Sequence, residues 1–561
     1  MNPSSEKDSP GQLTSEPSEK TSGPNTNGVI NSSTTEAQAP DSSAVSSPET
    51  DQEEPSEDDL ANLRHVSGKI PVEAWIVAWF SGAERFAYYA LQAPLQNYIQ
   101  NPASGFGRPG ALGMGQSVAT ALNSFLRLVS FTTPVFAGVL ADGHWGPYKT
   151  LVVSCGYRLY FTGILLLLLT SIPPALNAGA GLGGLIGAFI LIGLGVGGVK
   201  SSVAPFTADQ VRITGKQIQT LGSGERVIVD HEVTVRRVYS IFYWCANVGA
   251  LSGLASVTME KYLGFWTSFL MSLVALASGT VVLILGRNRF YRRKPEASFR
   301  AKLLSALGCA IRGGFNLDSA IPAVQLEKHG RTVPWDDQYV EDLRQALQAC
   351  RVWSIYPIVW LCYEQNQTNL VSQSGQMVTH GIPNDAVSSL NPIFVLMAVP
   401  LFEHCVYPYM HKLKLNPRPT IRMTLGFIMI AFSMAIAAGV QQAVYNAGPC
   451  YNMPLECAAS NDGHIPNQVS FTLQIPVHAV SAVGEVLWSV SGSEYAYNKA
   501  ASHMKSTLQA VTMLTLALNS VLGLAVSPAA HNPNLVILFS AFAGAMTVAS
   551  GVFGWFFWTS D

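Results

Sequence analysis

Two residues of opposite charge, Glu84 and Arg85, stand side by side in the otherwise apolar stretch SGAERFAYYALQAPLQNYIQNP, residues 81–102. An ionisable side chain is costly inside an apolar segment of this length, so each one is a functional candidate that needs a partner. Tyr88 and Tyr89 follow one turn later and bring two hydroxyl groups. Neighbouring positions of a helix point about 100° apart, so we expect the two charges to meet groups on other helices. The alternative is a mutually neutralised pair that only orients its helix.

Among the ionisable residues of the later apolar runs, three are the main candidates. Lys200 ends the glycine-rich stretch LIGLGVGGVK, whose small residues let another helix approach closely. Together with Arg85 it predicts a positively charged wall, unless its long side chain only reaches to the membrane surface. Glu364 and Glu485 belong to later runs and predict a wall of opposite charge. Such a chamber suits a zwitterion, and a peptide is a zwitterion.

The elements that must position these side chains are long apolar runs. Of the 561 residues, 48% are hydrophobic and 12% are charged, which excludes an ordinary soluble protein. About 20 apolar residues cross the hydrocarbon core of a bilayer as a helix. Twelve such runs, which we number spans 1 to 12, predict an all-α membrane protein with about twelve transmembrane helices: 72–98, 115–141, 148–171, 182–204, 238–258, 263–286, 351–373, 390–410, 420–442, 469–495, 506–527 and 533–558.

A long hydrophilic stretch divides the twelve spans into six and six. It predicts an N-terminal half over residues 67–286, a linker over 287–350 and a C-terminal half over 351–561. Two six-helix halves joined in this way are the architecture of the major facilitator fold, which binds substrate between the halves. Two linker segments, FRAKLLSALGCAIRGG and DDQYVEDLRQALQACRVW, have the apolar spacing of surface helices.

The charges outside the spans predict orientation. The first 60 residues carry thirteen acidic and two basic residues and contain no aromatic residue or cysteine, so residues 1–66 are expected to form a disordered acidic tail. Lysine and arginine concentrate in the loops after spans 6 and 8, which places both termini in the cytoplasm. Cys450 and Cys457 share a loop on the opposite side, where the sequence leaves open whether they are oxidised.

Five ordered motifs resemble those of the proton-coupled oligopeptide transporters, the POT/PTR family, and its fungal members in particular. They are AERFAYYA, GVGGVKSSVAPFTADQ, FYWCANVGALSG, LNPIFVLMAVPLFE and GEVLWSVSGSEYAYNKAASHMKS, and the resemblance covers essentially all twelve spans. It implies a major facilitator fold and a symporter that moves di- and tripeptides across the plasma membrane by alternating access. The coupling ion is a proton, and no cofactor or metal is expected. The expected partners are a small peptide or peptide-like substrate and the lipid bilayer, with no nucleic acid, and the expected state is a monomer.

The same resemblance implies roles for residues of this chain. Arg85 and Lys200 hold the carboxylate of the peptide, and Glu485 receives its amino group. Tyr88 and Tyr89 line the pocket.

Three further residues complete the implied pocket. Asn247 and Asn391 hydrogen-bond the peptide backbone, a role that suits an amide because it both donates and accepts. Trp360 provides an apolar wall for substrate side chains.

The sequence departs from the family pattern at the expected proton site. Ser81 stands where the family has the first Glu of its motif, and a serine hydroxyl does not titrate at physiological pH. We therefore expect Glu364, assisted by Glu84, to carry the proton. Phe131 stands where relatives have a pocket tyrosine, and the sequence assigns no partner to Arg127.

Two other functions stay open at this stage. The same scaffold is compatible with a carrier of another small anion or of a peptide-like secondary metabolite, with altered proton coupling. A non-transporting nutrient sensor that signals through the acidic tail is the other alternative. No phosphate-binding GxxxxGK[ST] loop and no nucleophile with a base is found in the sequence, so an enzyme is not expected.

Overall fold

The computed structural model describes residues 63–103, 109–155, 159–211, 216–220, 225–292, 299–314, 316–413, 417–461, 463–499 and 505–557. Most of the predicted acidic tail, and Arg158, lie outside these residues. His65 and Val66, which the sequence placed in the tail, instead form strand β1.

Every predicted span coincides with one helix or with two consecutive helices. The ranges, in the order of spans 1 to 12, are Val72–Gln92 with Leu95–Gln100, Gly115–Leu140, Pro147–Cys155 with Tyr160–Ser171, Gly181–Asp209, His231–Ala250 with Ser252–Leu263, Phe265–Leu285, Tyr356–Glu364 with Asn369–Gly375, Leu390–Leu401 with Tyr407–Lys412, Pro419–Asn446, Ile475–Lys499, Lys505–Val526 and Leu535–Phe557. Within the described ranges, eight helices are long and apolar enough to cross a membrane unaided. The all-α prediction for the membrane part is confirmed.

The apolar side chains form two large cores. One runs from Val77 to Phe290 and the other from Cys350 to Phe553. Each core therefore draws its residues from one group of six spans, as expected if each half packs around its own interior. The linker contributes a third, smaller core.

Glycines of span 4 let its helix pack closely against the two helices of span 3. A Cβ atom at Gly195 would lie 2.7 Å from the backbone nitrogen of Tyr160, and one at Gly198 would lie 2.7 Å from the Cβ of Ser154. Because backbone atoms cannot move aside cheaply, these positions require glycine. The predicted close approach at this stretch, which directly precedes Lys200, is confirmed.

A small sheet lies before span 1 and between spans 4 and 5. Strand β1 (His65–Val66) pairs in parallel with β3 (Arg226–Asp230), which pairs antiparallel with β2 (Lys216–Thr220). The His65 imidazole lies 2.8 Å from a carboxylate oxygen of Asp230. The start of span 1 is thereby tied to the start of span 5.

The linker forms the two helices that its apolar spacing predicts, Phe299–Arg312 and Asp337–Ala349, with Pro322–His329 between them. Their apolar faces pack on each other around Trp335, whose indole nitrogen donates to the carbonyl of Ala320. Apolar burial within the linker holds these helices together.

Cys450 and Cys457 form a disulfide in the loop between spans 9 and 10. This loop marks one end of the helix bundle, which we call the disulfide end. The opposite end carries the linker helices Phe299–Arg312 and Asp337–Ala349, and we call it the linker end.

Candidate functional site

Glu84 and Arg85 pair with each other, which corrects the expectation that each meets another helix. The Arg85 Nε donates to a Glu84 carboxylate oxygen at 2.7 Å, and the Glu84 side chain is almost completely buried. A guanidinium on a long stem can bend back to its neighbour although the two Cα–Cβ bonds diverge. In the described part of the chain the two terminal nitrogens of Arg85 have no partner, so they stay available to a second acceptor.

Lys200 lies on an aromatic surface beside this pair. Its ammonium is 3.8 Å from the ring centre of Phe131 and 5.4 Å from that of Tyr88. Arg85 lies 5.6 Å from the same Tyr88 ring. Aromatic faces stabilise cations without neutralising them. No described carboxylate forms an ion pair with Lys200, so its ammonium stays available to a negatively charged group.

Arg127, whose partner the sequence does not identify, forms an ion pair with Glu364. An Arg127 terminal nitrogen lies 2.9 Å from a Glu364 carboxylate oxygen, and both side chains are at most 10% exposed. Arg127 belongs to span 2 and Glu364 to span 7, so this ion pair joins the two halves. A narrow polar cavity adjoins it, lined in part by Thr120 and Thr368.

Gln92 links the ion pair to the tyrosine of the first span. With its amide oriented to satisfy both neighbours, it donates to the Tyr88 hydroxyl at 3.3 Å and accepts from the Arg127 Nη2 at 2.7 Å. The charges of Glu84, Arg85, Arg127 and Glu364 all act on Lys200. Five predicted or unexplained residues of the two halves therefore form one electrostatic cluster.

Glu485 forms the centre of a second cluster in the C-terminal half. Its carboxylate accepts from the Asn391 amide at 2.9 Å, and that amide also lies 3.2 Å from the Tyr363 hydroxyl. Trp360 packs edge-on to Tyr363, with ring centres 5.5 Å apart. The structure thus brings the predicted Glu485, Asn391 and Trp360 together around a tyrosine that the sequence reasoning had not named.

Tyr89 lies between the two clusters. It lies near Arg85 of the N-terminal half and Tyr363 of the C-terminal half, and its ring packs edge-on against Tyr88, with ring centres 5.6 Å apart. Asn247 is half-buried on the helix His231–Ala250. Ser81, which replaces the expected acidic residue, is buried.

Polar contacts between the halves concentrate at the disulfide end. Asn97 and Asn384 exchange two hydrogen bonds of 3.0 Å, and the Gln116 amide donates to Asn369 at 2.8 Å. Gly523 packs directly on Ser124, since an added Cβ would lie 2.7 Å from the serine Oγ. Further hydrogen bonds between the two groups of six spans lie in this end or at the centre, among them those from Gln96 to Ser372 and from Thr120 to Asn369. The structure is closed at the disulfide end.

Sequence reasoning missed three contributors to this site: Tyr363, Gln92 and the Arg127–Glu364 pair. Tyr363 is adjacent in sequence to Glu364, so an acidic residue with a neighbouring hydroxyl was a usable signal. The partner of Arg127 had no such signal, because it lies 237 positions away in the other half.

Comparison with known proteins gives one consistent result. The model of the POT family matches residues 150–544. A protein named peptide transporter PTR_A from Candidozyma auris is 38% identical over 506 residues, covering 90% of this chain and 84% of its own. Peptide transporter PTR2 from Saccharomyces cerevisiae is 37% identical over 510 residues, covering 91% and 82%.

A solved structure has the same fold. The crystal structure of an auto-inhibited POT family peptide transporter aligns with a TM-score of 0.65 and 21% identity, over 86% of this chain and 96% of that one. The major facilitator fold expected from the sequence is therefore confirmed.

Proposed function

The chain belongs to the POT family, and we propose that it is a proton-coupled symporter of di- and tripeptides. The observation that carries the proposal is the distribution of charge in the site. Lys200 and Arg85 present positive charge from the N-terminal half, and Glu485 presents a carboxylate from the C-terminal half. A peptide with an ionised carboxylate and an ammonium group matches both walls at once.

The N-terminal wall is suited to the peptide carboxylate. The terminal nitrogens of Arg85 and the ammonium of Lys200 provide donors that aromatic rings hold in place. Charge-assisted hydrogen bonds of this kind are roughly twice as strong as neutral ones. The Tyr88 ring serves both cations, so it sets their spacing.

The C-terminal wall is suited to the amino group. The Asn391 amide and the Tyr363 hydroxyl hold the Glu485 carboxylate in a fixed orientation. A substrate ammonium would then complete its coordination, and the Trp360 ring would cover apolar substrate side chains. Asn247 and Tyr89 remain candidates for contacts with the substrate backbone.

We assign the coupling proton to Glu364, with Glu84 assisting. Only the ionised carboxylate of Glu364 attracts Arg127, so the pair forms after the proton has left and holds the disulfide end closed. When that end opens, spans 2 and 7 separate, and Glu364 loses the Arg127 charge that opposes its protonation, so it binds the next proton more readily than in the closed state. This sequence of events is alternating access between the halves.

For location, we propose the plasma membrane with both termini in the cytoplasm and a monomeric carrier. The basic loops at the linker end support this orientation. The disulfide end then faces the outside, where the Cys450–Cys457 bond is chemically favoured.

The test is uptake of a labelled dipeptide into vesicles that contain the purified protein, with an imposed pH gradient. We expect accumulation above the external concentration with wild type. Glu364→Gln should abolish uphill accumulation while exchange of peptide persists, and Glu456→Gln, an exposed loop carboxylate, should behave as wild type. Uphill uptake by Glu364→Gln would refute the assignment of the proton, and no uptake of any peptide by wild type would refute the function.

A second candidate function is a carrier of another small anion or peptide-like metabolite. The close contact of Lys200 with the Phe131 ring favours it, because the family's pocket hydroxyl is missing there. Competition by nitrate, free amino acids and longer peptides in the same assay separates the two functions.

A further inference from the structure

A pair of acidic side chains from opposite halves meets at the disulfide end. Glu260 ends span 5, and Asp385 lies just before the helix Leu390–Leu401 of span 8. The two residues are 2% and 0% exposed, and their carboxyl groups are close enough to act on each other. An ionised carboxyl group only accepts hydrogen bonds, so two such groups can bond to each other only when one of them holds a proton.

The surroundings do not neutralise the pair. The Asn97 amide donates to Glu260 at 3.3 Å, and Asn97 and Asn384 bond to each other. In the described segments packed around the pair from spans 1, 5, 7 and 8, Lys261 is the charge that acts on Asp385, and its ammonium already donates to the carbonyl of Gly381. Among the described residues, three carboxyl oxygens of the pair are buried without a hydrogen-bond donor: Glu260 Oε2, Asp385 Oδ1 and Asp385 Oδ2.

We propose that Glu260 and Asp385 form a second proton-binding site, which holds one shared proton while the disulfide end is closed. Its use as an external pH sensor rests on the proposed symport function, but proton binding itself does not. Two ionised carboxylates this close and this deeply buried would repel each other and lack solvation. Without the proton, the closed arrangement of spans 5 and 8 is disfavoured.

Opening the disulfide end separates the two groups and exposes them to water. An exposed aspartate or glutamate has a pKa of about 4, so both then ionise and the shared proton leaves. Closing therefore takes up one proton. The ratio of closed to open molecules rises by at most about tenfold for each pH unit of acidification.

The proton has a short route from solution. A cavity of about 430 Å³ at the disulfide end is lined by Asn101, among other polar residues. The Asn101 amide reaches Asn97 at 3.5 Å, and Asn97 contacts Glu260. The site is therefore one side chain away from the aqueous cavity.

The two proton sites respond to pH in opposite directions. Protonation of Glu364 removes the charge that binds Arg127 and favours opening, whereas protonation of the Glu260–Asp385 pair favours closing. Glu364→Gln removes the first of these responses. In this variant, the effect of the acidic pair on the equilibrium between the closed and open states can therefore be measured separately.

The experiment measures the distance between two probes at the disulfide end, introduced at Asn177 and Met453, in vesicles without peptide. In Glu364→Gln, acidification from about pH 8 to about pH 6 should raise the closed-to-open ratio, by up to about a hundredfold. Adding Asp385→Asn, or alternatively Glu260→Gln, should abolish this response, so that the closed-to-open ratio no longer changes with pH, because an amide donates to the remaining carboxylate without a proton. Adding Glu327→Gln, at an exposed carboxylate of the linker, should change nothing.

Infrared absorption of a protonated carboxyl group provides an independent reading. The infrared spectrum of the closed state should show this band, and the spectra of both amide variants should lack it. If the two residues had only a structural role, no band of a protonated carboxyl group would be expected from them. A pH response that persists in both amide variants, or no response in Glu364→Gln alone, overturns the proposal. Since no peptide is present, failure of peptide transport would not produce either result.

Discussion

Replacing Arg127 by methionine tests the link between the two halves most directly. At 2.9 Å the gross attraction between Arg127 and Glu364 is about 6 kcal/mol with an effective dielectric constant of about 20. Much of that value offsets desolvation, but removing one partner of a buried pair leaves an uncompensated charge and typically costs about 3–5 kcal/mol. The cost falls on the closed state, because opening the disulfide end hydrates Glu364.

We therefore expect Arg127→Met to lower the ratio of closed to open molecules at the disulfide end by about a hundredfold or more, which is the change that a cost of about 3–5 kcal/mol to the closed state produces. The assay is the probe distance between Asn177 and Met453 at neutral pH. Uphill peptide uptake should fall in parallel. The exchanged pair, Arg127→Glu with Glu364→Arg, should restore closure because the attraction is regained.

Arg422→Met is a matched control for this prediction. Arg422 lies 2.8 Å from Glu494, but both residues belong to the C-terminal half, so the loss of this ion pair should leave the equilibrium between the halves unchanged. The reasoning is refuted if Arg127→Met folds normally and keeps the closed fraction of wild type.

Three further predictions concern packing and binding. Gly195→Ala should destabilise the protein by about 1–3 kcal/mol, seen as a lower Tm in detergent, because the new Cβ meets backbone atoms, whereas Gly439→Ala, which meets nothing, should not. Gly523→Val should force the halves apart at the disulfide end and increase the accessibility of probes there. Asn391→Ala should raise KM for a dipeptide by about tenfold, through the loss of about 1–2 kcal/mol of hydrogen bonding that orients Glu485. An unchanged Tm, probe accessibility or KM, respectively, would contradict each one.

The sequence alone predicted the membrane architecture. Apolar runs of bilayer length gave the position of every span, because a helix must satisfy its backbone hydrogen bonds within itself when it crosses lipid. The glycines of span 4 predicted close helix packing, which the contact of Gly195 with Tyr160 confirms. The five motifs predicted the family, which the comparison with known proteins confirms.

Individual contacts in the site were predicted less well. Neighbouring helix positions point about 100° apart, which suggested that Glu84 and Arg85 diverge. That angle describes the directions of the Cα–Cβ bonds, whereas the ends of the two long side chains do meet. The roles of Lys200, Glu485 and Glu364 remain predictions that the proposed experiments test.

What the sequence by itself determined is therefore local or periodic: the length of each span, the residues that one helix brings together, and the sign of the charge in each loop. The partner of Arg127 and the meeting of Glu260 with Asp385 were decided by tertiary structure. Those residues lie in different halves, and their distance depends on how two separately packed six-helix groups meet. No periodicity along the chain encodes that arrangement, because it results from the packing of whole helices and changes whenever one end opens.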